Sequence, residues 1–150
     1  MQVRIREAKE SDVTAILAIY RSSGLDRAAS FEPQEAQTRF KRMASYPSYR
    51  LYIAEDESGP VGTFALLIMD NLANGGLPSG IIEDIAVAAE AQGKGIGKAM
   101  MQFALDECRR QGCYKMVLSS NEKRVAAHRF YESLGLTRHG FSYLVELKPE

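Results

Sequence analysis

The spacing of apolar residues along this chain switches between the period of a strand and the period of a helix. Runs that are apolar throughout or alternate with polar residues predict strands, over residues 3–6, 50–55, 61–68, 81–87, 114–118 and 141–147. Apolar residues three and four apart predict four helices, with inward positions at Val13, Ile16, Leu17 and Tyr20, at Ala36, Phe40 and Met43, at Ile96, Met100, Phe103 and Ala104, and at Ala127, Phe130, Tyr131 and Leu134. The order β-α-α-β-β-β-α-β-α-β predicts one mixed α/β domain over residues 1–150.

The composition excludes several classes of function. The chain has 150 residues, 45% of them hydrophobic, which is enough for a core without metal or disulfide support. Lys and Arg number 19 and Asp and Glu number 19, whereas a nucleic-acid-binding protein carries a basic excess, so we predict no nucleic-acid partner. Cys108 and Cys113 are the only cysteines and no Cys/His cluster exists, so we predict no metal site. No apolar run is long enough to span a membrane, and we predict a cytoplasmic protein without a membrane partner.

A glycine-rich segment separates the predicted strand over 81–87 from the next helix. It consists of Gln92, Gly93, Lys94, Gly95, Ile96, Gly97 and Lys98. Free N–H groups and a partial positive charge at a helix N-terminus bind phosphate, and glycines let an anion approach the backbone. The segment is not a Walker A loop, because Ala99 stands where Ser or Thr is required, and its third glycine is one residue early for a Rossmann fingerprint. From these residues alone, a phosphate site and a glycine-rich turn without ligand both stay open.

The Gln-x-x-Gly-x-Gly segment follows Ile85-Ala86-Val87 and resembles the acetyl-CoA signature of the GCN5-related N-acetyltransferase (GNAT) superfamily; FYESLGL over 130–136 matches a second motif of that family. The resemblance implies a mixed, mostly antiparallel sheet of about six to seven strands flanked by about four helices. It also implies acetyl-CoA as co-substrate, with its pyrophosphate on the backbone amides of 92–98. The pantetheine arm would pair with the backbone of Ile85, Ala86 and Val87. A main-chain N–H near Val87 would polarise the thioester carbonyl.

Tyr131 matches the family tyrosine that donates a proton to the departing CoA thiolate, and a phenol suits this role because its pKa of about 10 exceeds that of a thiol. The alternative is an aromatic core residue. Arg124 stands where many family members carry an Asn, and Asn121 lies one turn earlier; both are either CoA-phosphate ligands or solvated helix residues. His128 is either a proton relay or a surface residue, and His139 is structural.

Two acidic residues interrupt the apolar strand over 81–87. Glu83 and Asp84 are candidates for the base that deprotonates the attacking amine. Strict alternation predicts that they lie on opposite faces, Glu83 with Val87 and Asp84 with Ala86. We favour Glu83 as the base, directly or through water, and Asp84 as a residue that binds the acceptor. The alternative is a solvated strand end or an internal ion pair.

Two further segments resemble the glucosamine-phosphate N-acetyltransferase branch of the family, namely IEDIAV over 82–87 and GCYK over 112–115. Ser119 departs from this branch, which has an acidic residue at that place. The segment 118–131 is also about three residues longer than in the branch.

The resemblance therefore predicts an acetyl-CoA-dependent N-acetyltransferase. The acceptor would be a primary amine, in a small molecule, that attacks directly within a ternary complex. Neither Cys108 nor Cys113 lies in a nucleophile motif, so we expect no covalent acyl-enzyme. We expect the first two helices and the loop over 70–80 to form the acceptor cleft. The alternatives are a non-catalytic acyl-CoA sensor and a protein or peptide N-acetyltransferase; a homodimer is possible.

Overall fold

The computed structural model describes residues 2–25 and 31–147, so the predicted domain ends at residues 1 and 150 lie outside the described part. Contacts divide the chain into two compact units, Met1–Leu118 and Ser119–Glu150. The first unit contains, in order, β1 (Arg4–Glu7), α1 (Val13–Ser23), α2 (Pro33–Ala44), β2 (Tyr49–Asp56), β3 (Gly59–Met69), β4 (Ser79–Val87), α3 (Ile96–Arg110) and β5 (Lys115–Val117). The second unit contains α4 (Val125–Ser133).

The strands of the first unit form one sheet in the order β1-β2-β3-β4-β5. Neighbouring strands are antiparallel except β4 and β5, which are parallel. The first five predicted strands and the four predicted helices are thus confirmed. The α/β class is also confirmed, but the expected six to seven strands are not, since the described residues form a five-stranded sheet.

The predicted strand over 141–147 is wrong. These residues are described and have no strand conformation. Their large apolar side chains are exposed, Phe141 and Tyr143 to 90% and 93%. An alternating pattern makes a segment suitable for a strand, but a strand forms only where another strand accepts its backbone hydrogen bonds.

The core of the first unit lies on both faces of its sheet. On one face, α3 packs against β3, where a Cβ built on Gly62 would lie 3.0 Å from both Ile96 Cγ2 and Met100 Sδ. On the other face, Ile16 of α1 packs with Ile53 of β2, and Phe40 of α2 packs against this cluster. Burying a large apolar side chain such as Ile53 completely contributes about 1.5–3 kcal/mol.

A β-bulge lies in the middle of β4. Ala65 pairs with Glu83 and Thr63 pairs with Ala86, so β4 contains one residue more than β3 between the same two pairs. Asp84 lies within this bulge and has a left-handed φ of 53°. The extra residue ends the strict alternation of faces. Glu83 therefore shares its face with Ala86 and not with Val87, contrary to our prediction.

The second unit is built around α4. This helix begins at Val125, two residues before its first predicted inward position, Ala127. The reason is local: Asn121 Oδ1 accepts a hydrogen bond from the Lys123 N–H at 2.9 Å and forms an Asx turn, which competes with a helical start.

In the described part of the chain no helix has the length and hydropathy required to cross a bilayer.

Candidate active site

The glycine-rich segment forms an exposed loop that leads into α3. Gly93 and Gly95 have left-handed φ values of 78° and 86°, which residues with a Cβ adopt only with strain. A Cβ built on either glycine would meet nothing within 4 Å, so the backbone borders open space. The first N–H groups of α3, at Ile96, Gly97 and Lys98, have no acceptor within the helix. This geometry fits a phosphate group.

Side chains around this loop hold it in place. The Gln92 side-chain amide donates to the Val87 carbonyl oxygen at 3.2 Å, which connects the loop to the end of β4. The Ala89 N–H donates to Ser22 Oγ of α1 at 2.7 Å. Ile96 is 1% exposed, so only its backbone can contact a ligand. Lys94 and Lys98 are exposed and supply positive charge on either side of Gly95.

The edge of β4 that faces β5 is paired only in its first part. Ser79, Gly80 and Ile81 pair with β5, and the ladder ends there. Among the described strands, the residues over 82–87 therefore have a partner on the β3 side only. A free strand edge binds an extended, amide-containing ligand by backbone hydrogen bonds. The three residues predicted for the pantetheine arm, Ile85, Ala86 and Val87, lie on this free edge.

The two candidate bases lie on the same face of the sheet. Glu83 pairs with Ala65, which pairs with Leu51, so these three side chains share the face covered by α1 and α2. Asp84 and Leu51 line one cavity on that face. Burial raises the pKa of Asp84, and burial together with the charge of Asp84 raises the pKa of Glu83. The prediction that the two carboxylates face opposite sides is wrong, because the bulge turns Asp84 towards α1 and α2.

The cavity beside Asp84 has a volume of about 170 Å³. Apart from two charged side chains, Arg39 and Asp84, its walls are formed by apolar and aromatic residues of α1, α2 and their surroundings: Val13, Ile16, Leu17, Tyr20, Phe31, Ala36, Phe40, Met43 and Leu51. The first two helices thus border the cavity as predicted for the acceptor cleft. The loop over 70–80 does not contribute to its walls, and β4 already begins at Ser79.

A second cavity, of about 260 Å³, lies on the opposite face of the sheet, between β2, β3 and α3. Its lining residues include Tyr52, Leu66 and Glu107. It contains neither of the candidate bases, whereas the smaller cavity contains Asp84. The smaller cavity is therefore the better candidate for an acceptor site.

Sequence reasoning missed Tyr49 and Arg39. Tyr49 lies on the same face as Leu51, and its ring stacks on that of Tyr46 with 6.2 Å between the centroids. Burial, and then the charges of Asp84 and Glu83, raise the pKa of the Tyr49 hydroxyl, which places it near both carboxylates. No local motif identifies Tyr49, because its neighbourhood is created by strand pairing.

In the second unit, Tyr131 lies on α4 with its ring centroid 5.5 Å from that of Phe130. Burial raises the pKa of the Tyr131 hydroxyl, and the positive charge of Arg124 opposes this rise. The carbonyl oxygen of Asn121 accepts a hydrogen bond from the Arg124 N–H at 3.0 Å and lies 2.8 Å from Nε2 of His128. His128 is thus engaged at the start of α4, whereas the Tyr131 phenol stays protonated at neutral pH.

Both cysteines are present as thiols. Burial raises the pKa of Cys108 to about 12 and also raises the pKa of the half-buried Cys113. A thiol is a weak nucleophile compared with a thiolate, so neither cysteine is activated. Among the described residues, no group of three or more His, Cys, Asp and Glu side chains is arranged to hold a metal ion.

A comparison with known protein families assigns the chain to one of them. The model of the acetyltransferase (GNAT) family matches residues 13–136, most of the chain. The chain belongs to this family. The resemblance stated from the sequence is thereby confirmed, as is the prediction of an N-acetyltransferase at the level of the family. Acetyl-CoA is the co-substrate of GNAT acetyltransferases.

Individual relatives agree with this family. The chain is 39% identical over 79 residues to glucosamine 6-phosphate N-acetyltransferase of Trypanosoma brucei brucei, a match over 53% of this chain and 52% of that protein, about half of each. It is 30% identical to the L-methionine sulfoximine/L-methionine sulfone acetyltransferase of Salmonella typhimurium, over 89% of this chain and 79% of that protein. The solved structure of glucosamine-6-phosphate N-acetyltransferase from Arabidopsis thaliana superimposes with a TM-score of 0.84 at 25% identity, covering 99% of this chain and 100% of that one.

Proposed function

We propose that this protein transfers an acetyl group from acetyl-CoA to the primary amine of a small molecule, by direct attack within a ternary complex. The observation that carries the proposal is the position of Glu83 and Asp84. Both carboxylates lie at a bulge in β4, on the face that borders an apolar cavity, and β4 leads directly into the glycine loop. Such a strand brings together a base, an acceptor site and a phosphate site.

The first unit has residues that fit acetyl-CoA. The loop backbone between Gly93 and Lys98 suits its pyrophosphate, and the free β4 edge over 85–87 suits the amide groups of its pantetheine arm. When bound, acetyl-CoA supplies an acyl group activated as a thioester. The Val87 region would donate a main-chain N–H to the thioester oxygen and stabilise the negative charge that develops there.

Each proton in the transfer has a proposed donor or acceptor. Asp84 holds the acceptor as an ammonium group, and Glu83 accepts one proton from it, which leaves a neutral amine with a free electron pair. The raised pKa of Glu83 makes it a stronger base than an ordinary glutamate. The amine nitrogen then attacks the acetyl carbon, and its second proton passes to solvent water as the amide forms. Tyr131 donates a proton to the sulfur as the carbon–sulfur bond breaks, an assignment that rests on its motif and on its raised pKa.

For Asn121 and Arg124 we keep the proposal that they contact a CoA phosphate. The inert thiols of Cys108 and Cys113 favour direct attack over an acyl-enzyme. The names of two relatives, one for glucosamine 6-phosphate and one for L-methionine sulfoximine, suggest a small molecule as the acceptor. A homodimer and a cytoplasmic location stay predictions.

The test combines calorimetry of CoA binding with thiol release from acetyl-CoA across a panel of amino acids, amino sugars, polyamines and peptides. We expect CoA to bind and one class of small amine to be acetylated. Binding without transfer to any amine would favour the non-catalytic sensor, and transfer to peptides alone would favour the protein N-acetyltransferase. If CoA does not bind, the proposed function is wrong.

A further inference from the structure

Arg39 is an exposed, charged residue of α2 that lines the apolar cavity. Ala36, Phe40 and Met43 form the apolar stripe of α2, and Arg39 follows Ala36 by three residues and precedes Met43 by four, which places it in the same stripe. All four residues line the cavity of about 170 Å³. The guanidinium of Arg39 is exposed at the rim of this cavity, where it can bind an anionic group of a ligand.

Asp84 lines the same cavity and carries the opposite charge. In the described part of the chain, neither Arg39 nor Asp84 makes an ion pair or a hydrogen bond. The two charges therefore belong to one cavity without neutralising each other. The other lining residues include the apolar side chains of Phe40, Met43 and Leu51.

We propose that the acceptor is a zwitterionic α-amino acid with an apolar side chain. Its α-carboxylate binds the Arg39 guanidinium, its α-ammonium group binds Asp84, and its side chain occupies the apolar part of the cavity. This inference rests on the proposed function and names the substrate class of that site. Asp84 is adjacent to Glu83 in the chain, and Glu83 accepts a proton from the ammonium group so that the neutral amine can attack the acetyl carbon.

The cavity fits this class better than a phosphorylated amino sugar. Its volume is below the roughly 300–1,000 Å³ of sites that take drug-sized ligands, so it suits a small side chain. A sugar would place several hydroxyl groups against walls that are mostly apolar and offer hydrogen-bond partners only at Tyr20, Arg39 and Asp84. An apolar amino acid has only two polar groups, and each meets one charge of opposite sign.

The experiment compares four acceptors: L-leucine, L-leucinamide, 3-methylbutylamine and glucosamine 6-phosphate. Leucinamide lacks the carboxylate charge and the butylamine lacks the whole carboxylate. We expect Arg39→Gln to lower kcat/KM for leucine at least tenfold, mainly through KM, and to leave leucinamide unchanged. Comparing each acceptor between wild type and variant cancels differences in amine basicity. Arg39→Lys should retain part of the preference, because it keeps the charge and loses the bidentate geometry.

Arg42→Gln is the matched control, since Arg42 is an exposed residue of the same helix that does not line the cavity. Arg42→Gln should leave kcat/KM unchanged for both leucine and leucinamide. The inference is overturned if Arg39→Gln affects leucine and leucinamide equally, or if glucosamine 6-phosphate is the best acceptor; the proposed function then still holds. If none of these four acceptors is acetylated but another amine of the wider panel is, the inference fails and the proposed function holds; if CoA binds and no amine of either panel is acetylated, both fail.

Discussion

Glu83 and Asp84 are adjacent in the chain and yet lie on the same face of the sheet, because Asp84 has a left-handed backbone with φ of 53°. In a regular strand, neighbouring side chains point to opposite faces. The bulge brings both carboxylates to the side of α1 and α2, where burial raises the pKa of Asp84, and burial together with the charge of Asp84 raises the pKa of Glu83. Ionising these two carboxylates costs stability in the folded protein, and the raised pKa suits the role of a base that we propose for Glu83.

We predict that Asp84→Asn increases thermal stability at pH 7 while acetyl transfer falls. The raised pKa of Asp84 means that its ionised form is disfavoured in the folded protein. The stability linked to this group is therefore lost as pH rises from its unfolded-state pKa through its raised folded-state pKa. The gain in Tm from Asp84→Asn should be largest at neutral pH and vanish once the wild-type carboxyl is protonated.

Asp84→Ala is the control for the backbone at this position. Asn tolerates a left-handed φ, whereas Ala does not. The free energy of unfolding of the Ala variant should therefore be lower than that of the Asn variant by about 1 kcal/mol. Thermal unfolding of both variants at several pH values measures the two effects. Equal stability of the Asn and Ala variants would show that the bulge is not strained.

Gly95→Glu should weaken CoA binding by about ten- to a hundredfold, since each lost hydrogen bond to a charged group costs about 1.5–3 kcal/mol. The substitution adds a negative charge and a Cβ at a left-handed position before α3. Gly112→Glu is the matched control at the other end of α3, where φ is 76° and a Cβ also meets nothing within 4 Å. Calorimetry should show normal CoA affinity for that control. Equal losses in both variants would indicate a general effect of strain.

Tyr131→Phe should lower kcat about a hundredfold and leave CoA affinity unchanged, because it removes the proton donor and keeps the ring. The raised pKa of Tyr131 keeps the phenol protonated. At pH values below about 10, ionisation of this group should therefore not lower the wild-type rate. Tyr143→Phe serves as the control, since Tyr143 is 93% exposed in the same unit. Full activity of the Tyr131 variant would remove it from the proposed role.

Gly80→Ala should destabilise the first unit by about 1–3 kcal/mol. A Cβ at Gly80 of β4 would overlap with the Cys108 Sγ of α3. Adding Cys108→Ala should recover part of this loss, and a double-mutant cycle in urea measures the coupling. Gly140→Ala is the control, because a Cβ there meets nothing within 4 Å. Purely additive effects of the Gly80 and Cys108 changes would contradict the predicted overlap.

Most helices and strands were predictable from the sequence because their patterns are local. The stripe of α1 and the glycine at its end define a helix whatever it packs against. The loop from Gln92 to Lys98 was also predictable, since left-handed glycines before a helix are a property of a few neighbouring residues. The lack of a strand over 141–147 was not predictable, because the alternating pattern of these residues says nothing about the partner that a strand requires.

The sequence by itself determined the family, the glycine-rich loop and the identity of the two acidic residues, because each depends on residue types at fixed local spacing. The tertiary structure alone decided which way those acids face. Alternation placed Glu83 with Val87, and only pairing with β3 revealed the extra residue at Asp84 that changes the face. It also decided that Arg39 of α2 and Asp84 of β4 line one cavity. Such proximity arises from packing between distant segments, which no local pattern encodes.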